Sequence, residues 1–135
     1  MADGHIFSTT LLPEKVRIYR FSKEQYYTNY RMFIKTEHIL CQTFFEDEVT
    51  IYKLIDEDDE LFSELSDSYD PREYNIINIH EDVPGIDHIG IVYRISGIFY
   101  KKDIPLLYVN TYSHNLIFIS DEFIDKALDV LNDKI

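Results

Sequence analysis

The last third of the chain admits few folds. PLLYVN (105–110) and LIFIS (116–120) are apolar runs too short for helices, and only the polar link TYSHN separates them. Ser120 then opens a helix. Asp121 and Glu122 occupy its first turn, where carboxylates favour the positive end of the helix dipole. Phe123, Ile124, Ala127, Leu128 and Leu131 mark one face of that helix. Strands joined by so short a link pair antiparallel, and a helix with one apolar stripe has to bury it. An antiparallel sheet with a helix on one face is the expected result.

The same alternation runs upstream. After the turn signal Pro84-Gly85, HIGIVYR (88–94) is a nearly unbroken apolar run and reads as a strand buried on both sides. ISGIFYKKD (95–103) is long enough for two to three helical turns. In the first half, KVRIYRF (15–21) alternates as a strand does, and Ser22 stands three residues before Gln25, the spacing of a capping box. The helix opened there carries Tyr26, Tyr27, Tyr30 and Phe33 as an aromatic core stripe. HILCQTFF (38–45) and VTIYKLI (49–55) suit a hairpin across EDE. Leu61, Phe62 and Leu65 allow a short helix, and YNIINIH (74–80) is another strand. The order strand, helix, strand, strand, helix is thus used twice. The expected fold is α+β: two ferredoxin-like β-α-β-β-α units in tandem, 1–80 and 81–135, with antiparallel sheets and helices on one face.

Charge excludes several partners. The 135 residues carry 13 basic and 25 acidic groups, a formal net charge of -12. Nucleic acid needs a basic footprint, and an anionic membrane surface needs one too, so neither is an expected partner. The acidity is concentrated: residues 46–73 hold two basic and twelve acidic groups, net -10. This segment reads as a solvated, partly mobile connector, and its alternative is a docking patch for a basic partner.

Catalysis has no candidate residues. With only four glycines the chain shows no phosphate loop, dinucleotide fingerprint or G-x-S-x-G. Cys41, the single cysteine, lies within an apolar strand and reads as a small hydrophobe rather than a nucleophile. The five histidines lack metal spacing; His80, Glu81, Asp82, Asp87 and His88 flank Pro84-Gly85 as a solvated turn. No metal or cofactor is expected, nor is a membrane span or a signal peptide, and a cytoplasmic location follows.

Residues 86–131 resemble the second half of the small tandem ACT proteins related to the CASTOR arginine sensors. The resemblance is carried by Ile104-Pro105-Leu106-Leu107-Tyr108-Val109-Asn110-Thr111-Tyr112, by the strand Leu116 to Ile119, and by Ser120-Asp121-Glu122-Phe123. Asp103 stands where the family often has Gly, Ile98 where a Pro often starts the helix, and Asn115 where the turn usually carries an Asp that grips a ligand's ammonium group. The resemblance implies a free amino acid bound at the boundary between two ACT units. Its carboxylate would meet backbone N–H groups at a helix start around Arg94, Ile95, Ser96 and Gly97, with Gly97 allowing close approach. Its ammonium group would lie near Thr111, Tyr112 and Asn115. Without the resemblance, Ser96 reads as a helix cap and Gly97 as a packing gap.

Two functions follow as expectations. One is a non-catalytic regulatory module that binds a small amino-acid-like ligand and signals to a protein partner. The other is a ligand-free interaction module that keeps the fold, which the uncharged Asn115 favours. The 11 tyrosines and 9 phenylalanines further suggest a homodimer.

Overall fold

The computed structural model describes residues 7–81 and 88–133, which form two compact units. Glu14–Glu73 make one; Met1–Pro13 and Tyr74–Ile135 make the other. The first is therefore inserted into the second along the chain. One long strand, β1 (Phe7–Ser22), crosses from the outer unit into the inserted one.

In the inserted unit β1 is followed by α1 (Lys23–Thr28), α2 (Tyr30–Lys35), β2 (Ile39–Phe45), β3 (Glu48–Leu54), α3 (Asp59–Leu65) and β4 (Ser68–Tyr69). The strand order is β2-β3-β1, with β4 on the far side of β1, and the pairings are antiparallel. Ser22 caps α1 as its spacing predicts, the Oγ accepting from the Gln25 N–H at 3.1 Å. The one expected helix is two, because Asn29 folds its side-chain amide back onto the Gln25 carbonyl at 2.9 Å and ends the first. Phe45 pairs with Glu48, so the hairpin turns on Glu46 and Asp47 alone, with Glu46 at φ 52°. Tyr26, Phe33 and Phe62 from the helices pack on Tyr19, Phe21, Val49 and Ile51 from the sheet. The aromatic stripe is core on its inner side, as its spacing implies.

The acidic segment 46–73 is an ordered part of this unit rather than a mobile connector. It supplies β3, α3 and β4, and Val49, Ile51 and Phe62 are fully buried. Its carboxylates are held by cations: Asp56 and Asp59 by Lys53, Asp59 and Glu73 by Arg17, Glu48 by Arg20.

The outer unit continues with β5 (Tyr74–Glu81), α4 (His88–Lys101), β6 (Leu107–Asn110), β7 (Asn115–Ser120) and α5 (Ile124–Asp133). Its strand order is β1-β5-β7-β6. β7 is buried along its whole length, and Ile77, Ile79, Ile117 and Ile119 form a core with Ile95 and Phe99 of α4 and Ala127, Val130 and Leu131 of α5. Each unit thus has helices on one face of an antiparallel sheet, the α+β ferredoxin-like architecture expected.

Three expectations need correction. Residues 88–94 are not a strand but the first half of α4, whose buried Ile95 and Phe99 recur at helical spacing. A continuous apolar run suits either element, and only its neighbours decide between them. β5 joins the C-terminal residues, pairing with β7 from Tyr74 opposite Ser120 to Ile79 opposite Asn115, so a division at residue 80 does not describe the packing. Ser120 ends β7, and α5 begins four residues later.

Asp103 adopts the left-handed conformation that its alignment with a family glycine implies, at φ 58°. It completes a Schellman closure of α4: the Ile104 N–H donates to the Phe99 carbonyl at 3.0 Å and the Asp103 N–H to the Tyr100 carbonyl at 3.2 Å. Ile104 and Phe99 are buried in the same core, the apolar contact that accompanies this motif.

Candidate functional site

Arg94, Ile95, Ser96 and Gly97 lie in the interior of α4, so they do not form a helix start. Interior N–H groups of a helix are spent on carbonyls four residues earlier and cannot hold a carboxylate. Ile95 is fully buried in the core, Arg94 and Gly97 are half-buried, and Ser96 is exposed. A Cβ added at Gly97 would meet nothing within 4 Å, so close packing does not require a glycine there.

Thr111, Tyr112 and Asn115 belong to a different feature, the β6–β7 turn. Asn110 pairs with Asn115, leaving a four-residue loop closed by the Thr111 N–H to the His114 carbonyl at 3.0 Å. The Thr111 hydroxyl accepts from the His114 N–H at 3.0 Å and lies 3.3 Å from the His114 Nδ1. Tyr112 points into solvent, whereas Asn115 is buried opposite Ile79.

That register brings the turn against the end of β5. Asn78, Ile79, His80, Ser113, His114 and Asn115 line one concavity of about 370 Å³. The His80 Nε2 lies 2.9 Å from the Thr10 hydroxyl. Residues bearing amide, imidazole and hydroxyl groups therefore line a space large enough for a small metabolite. Imidazole and amide N–H groups there can donate to a carboxylate, and amide oxygens can accept from an ammonium group. Sequence reasoning reached Thr111, Tyr112 and Asn115 but missed Asn78, His80 and His114. Their one available signal was that a strand pairing beside the turn must face it. A separate, open groove of about 590 Å³ runs along α4 beside Tyr93, Arg94, Ser96, Gly97, Tyr100 and Lys101. It shares no lining residue with the first, so Arg94, Ser96 and Gly97 line one cavity and Asn115 another, while Ile95, Thr111 and Tyr112 line neither. The turn holding Pro84-Gly85 and most of its acidic neighbours lies outside the described residues.

The inserted unit holds a second polar cluster, built on Lys53. Its side chain is fully buried, and its Nζ donates to the Leu54 carbonyl at 3.0 Å, to Asp59 at 2.8 Å and to Asp56. Burial pushes the ammonium pKa down, but hydrogen bonds to Asp56 and Asp59 outweigh it and leave the group above its usual value. Burial likewise pushes Asp56 up, against the hydrogen bonds from Lys53, His38 and the Asp58 N–H, which bring its carboxyl down to about 2. The same contact to Asp56 raises His38. The Cys41 thiol is pushed up by burial, which keeps it protonated and unreactive at neutral pH. The Lys53 ammonium is held by carboxylates of the chain itself, so its role is structural.

The strand order and the apolar helix faces can be compared with known proteins. Residues 71–133 match the family model of the ACT domain. No curated protein matches the chain. A Vibrio cholerae protein of unknown function superposes with a TM-score of 0.69 at 10% identity, covering 97% of this chain and 91% of its own. An Agrobacterium tumefaciens protein gives 0.68 at 17% identity, covering 95% and 88%. A C-terminal domain from Porphyromonas gingivalis, assigned to aspartate kinase as its regulatory part, gives 0.68 at 17% identity, covering 96% of each. At such identities the likenesses establish the ACT fold. Among the described residues, no helix is long and apolar enough to cross a membrane.

Proposed function

We propose that this chain is a non-catalytic regulatory module of the cytoplasm that binds a small amino-acid-like ligand and reports its occupancy to a protein partner. The observation that carries the reading is the convergence of Asn78, His80, Ser113, His114 and Asn115 on one concavity of about 370 Å³ in an ACT fold. The resemblance of residues 86–131 to CASTOR-like sensors supports the ligand class. The ligand's carboxylate meets the imidazoles, and its ammonium group meets the carboxamide oxygen of Asn78. Thr111 holds His114 in place through two backbone-linked hydrogen bonds. Arg94 to Gly97 lie outside this arrangement. Signalling requires only that the ligand bind one conformation of the module more tightly than another.

A thermal-shift screen with the twenty amino acids tests this. A ligand at 100 times its dissociation constant adds about 2.7 kcal/mol to stability. His114→Ala, at an exposed position, removes that shift and leaves the ligand-free midpoint in place. Absence of stabilisation by any amino acid at millimolar concentration refutes the ligand reading. The interaction-module reading is favoured by Asn115, which supplies no charge for an ammonium group.

A further inference from the structure

We infer that the outer face of α4 docks an acidic amphipathic helix of a partner protein. The inference needs no amino-acid ligand, so it stands apart from the concavity beside β5. Ile95 and Phe99 turn the inner face of α4 into the core. At about 100° per residue, Gly97, midway between them, falls on the opposite face. Tyr93 and Tyr100 run along one side of it, and Arg94 and Lys101 along the other. Each pair is spaced by about two helical turns, roughly 10.5 Å of axis. A missing side chain between two such rows makes a notch, and the groove of about 590 Å³ lies there.

Packing within the chain does not account for these residue types. Tyr93 and Tyr100 are 78% and 82% exposed and lie outside the apolar core. A glycine weakens a helix interior, and a Cβ at position 97 would meet nothing within 4 Å. Neither the fold nor the core therefore asks for one. The chain carries 25 acidic groups, yet among the described residues no carboxylate pairs with Arg94 or Lys101. α4 itself holds none.

These features specify the occupant. An amphipathic helix presents apolar side chains at i, i+3, i+4 and i+7, the period of the tyrosine row. Two helices approach most closely where the facing residue is small. An apolar side chain of the partner seats on Gly97 between the rings, and its flanking carboxylates reach Arg94 and Lys101. Such a helix needs only two or three carboxylates. A bilayer or a nucleic acid presents extended negative charge, which a chain of net charge -12 repels. A notch also fits a convex ridge rather than a flat surface.

Peptide display on the full chain tests this, with a library of helical peptides whose surface positions are randomised without charge preference. Selection enriches Asp or Glu beside apolar residues at i, i+3 or i+4, and i+7. One enriched peptide, synthesised and followed by fluorescence anisotropy, binds at about 1–100 µM, as suits a small transient interface. High salt weakens it. Gly97→Gln fills the notch and raises the dissociation constant about tenfold, while the melting midpoint holds or rises. Lys101→Glu, at an exposed position, weakens binding similarly and accepts a peptide whose carboxylates are exchanged for Lys. It replaces Gly97→Gln if that variant loses its fold. Selection of no peptide, or of peptides without acidic residues, overturns the inference. So does a peptide whose affinity both variants leave untouched, since it occupies another surface. Binding of the parent, but not of Gly97→Gln, to phosphatidylserine vesicles overturns it as well and assigns the face to a membrane.

Discussion

Lys53→Met isolates the polar cluster of the inserted unit. The stem keeps nearly the same volume, and only the ammonium is lost. In the native chain that group is fully buried, makes three hydrogen bonds, and lies 5.1 Å from the centre of the Phe62 ring. Removing one partner of a buried ion pair costs about 3–5 kcal/mol. Here the carboxylates keep other partners, since Asp59 still meets Arg17 at 3.3 Å and Asp56 still meets His38. The expected loss is therefore smaller, about 2–4 kcal/mol, or about 6–12 °C in midpoint for a chain of this size. Acid unfolding shifts as well. The native Asp56 carboxyl titrates at about 2, below its unfolded value of 3.8. Its contribution, about 1–2 kcal/mol after solvent screening, is complete above the unfolded value and lost as pH falls through about 2. Without Lys53 that loss begins at higher pH. Replacing the whole group, as Lys53→Met with Asp56→Asn and Asp59→Asn, recovers most of the stability because no carboxylate is left uncompensated. Urea denaturation at pH 7 and pH 3 measures these values. A single-variant loss below about 0.5 kcal/mol at pH 7 refutes the account of a desolvated, carboxylate-held ammonium.

His38 has the opposite pH sign. Its folded pKa is raised by Asp56, so its contribution is complete below the unfolded value and disappears as pH rises through the folded one. Proton NMR titration of its ring shows a lower pKa in Asp56→Asn. Gly97→Ala stabilises the chain by about 0.5–1 kcal/mol, because the position is inside a helix and the added methyl meets nothing within 4 Å. Calorimetry reads the midpoint, and a destabilised variant contradicts the open surroundings. Asp103→Gly relieves a left-handed side-chain residue at the end of α4 and raises stability by up to about 1 kcal/mol; an unchanged midpoint shows that Asp103 compensates its backbone locally.

Much of the fold was legible because its signals act over a few residues. Ser22 and Gln25 meet within one helical turn, Phe45 and Glu48 meet across a two-residue loop, and Asp103 closes α4 with groups at most four residues away. The β6–β7 hairpin and the apolar face of α5 were equally plain, since their partners lie next in sequence. Of the expected site residues, Asn115 alone lines the candidate concavity, at the end of a hairpin that was legible for the same reason.

Tertiary structure decided what local chemistry leaves degenerate. HIGIVYR is as apolar as a central strand, yet β7 takes the position buried between β5 and β6, and the run coils into α4 over that sheet. With the start of the helix moved to His88, the supposed carboxylate grip at Arg94 to Gly97 disappears. Asn78 and His80 enter the site only because Ile79 pairs with Asn115, 36 residues on. The acidic segment is ordered by Arg17 and by the buried Lys53, whose burial no sequence pattern announces. A cap or a turn is settled by groups the chain cannot separate. The fate of an apolar run, or of a cluster of like charges, depends on which distant surface removes it from water.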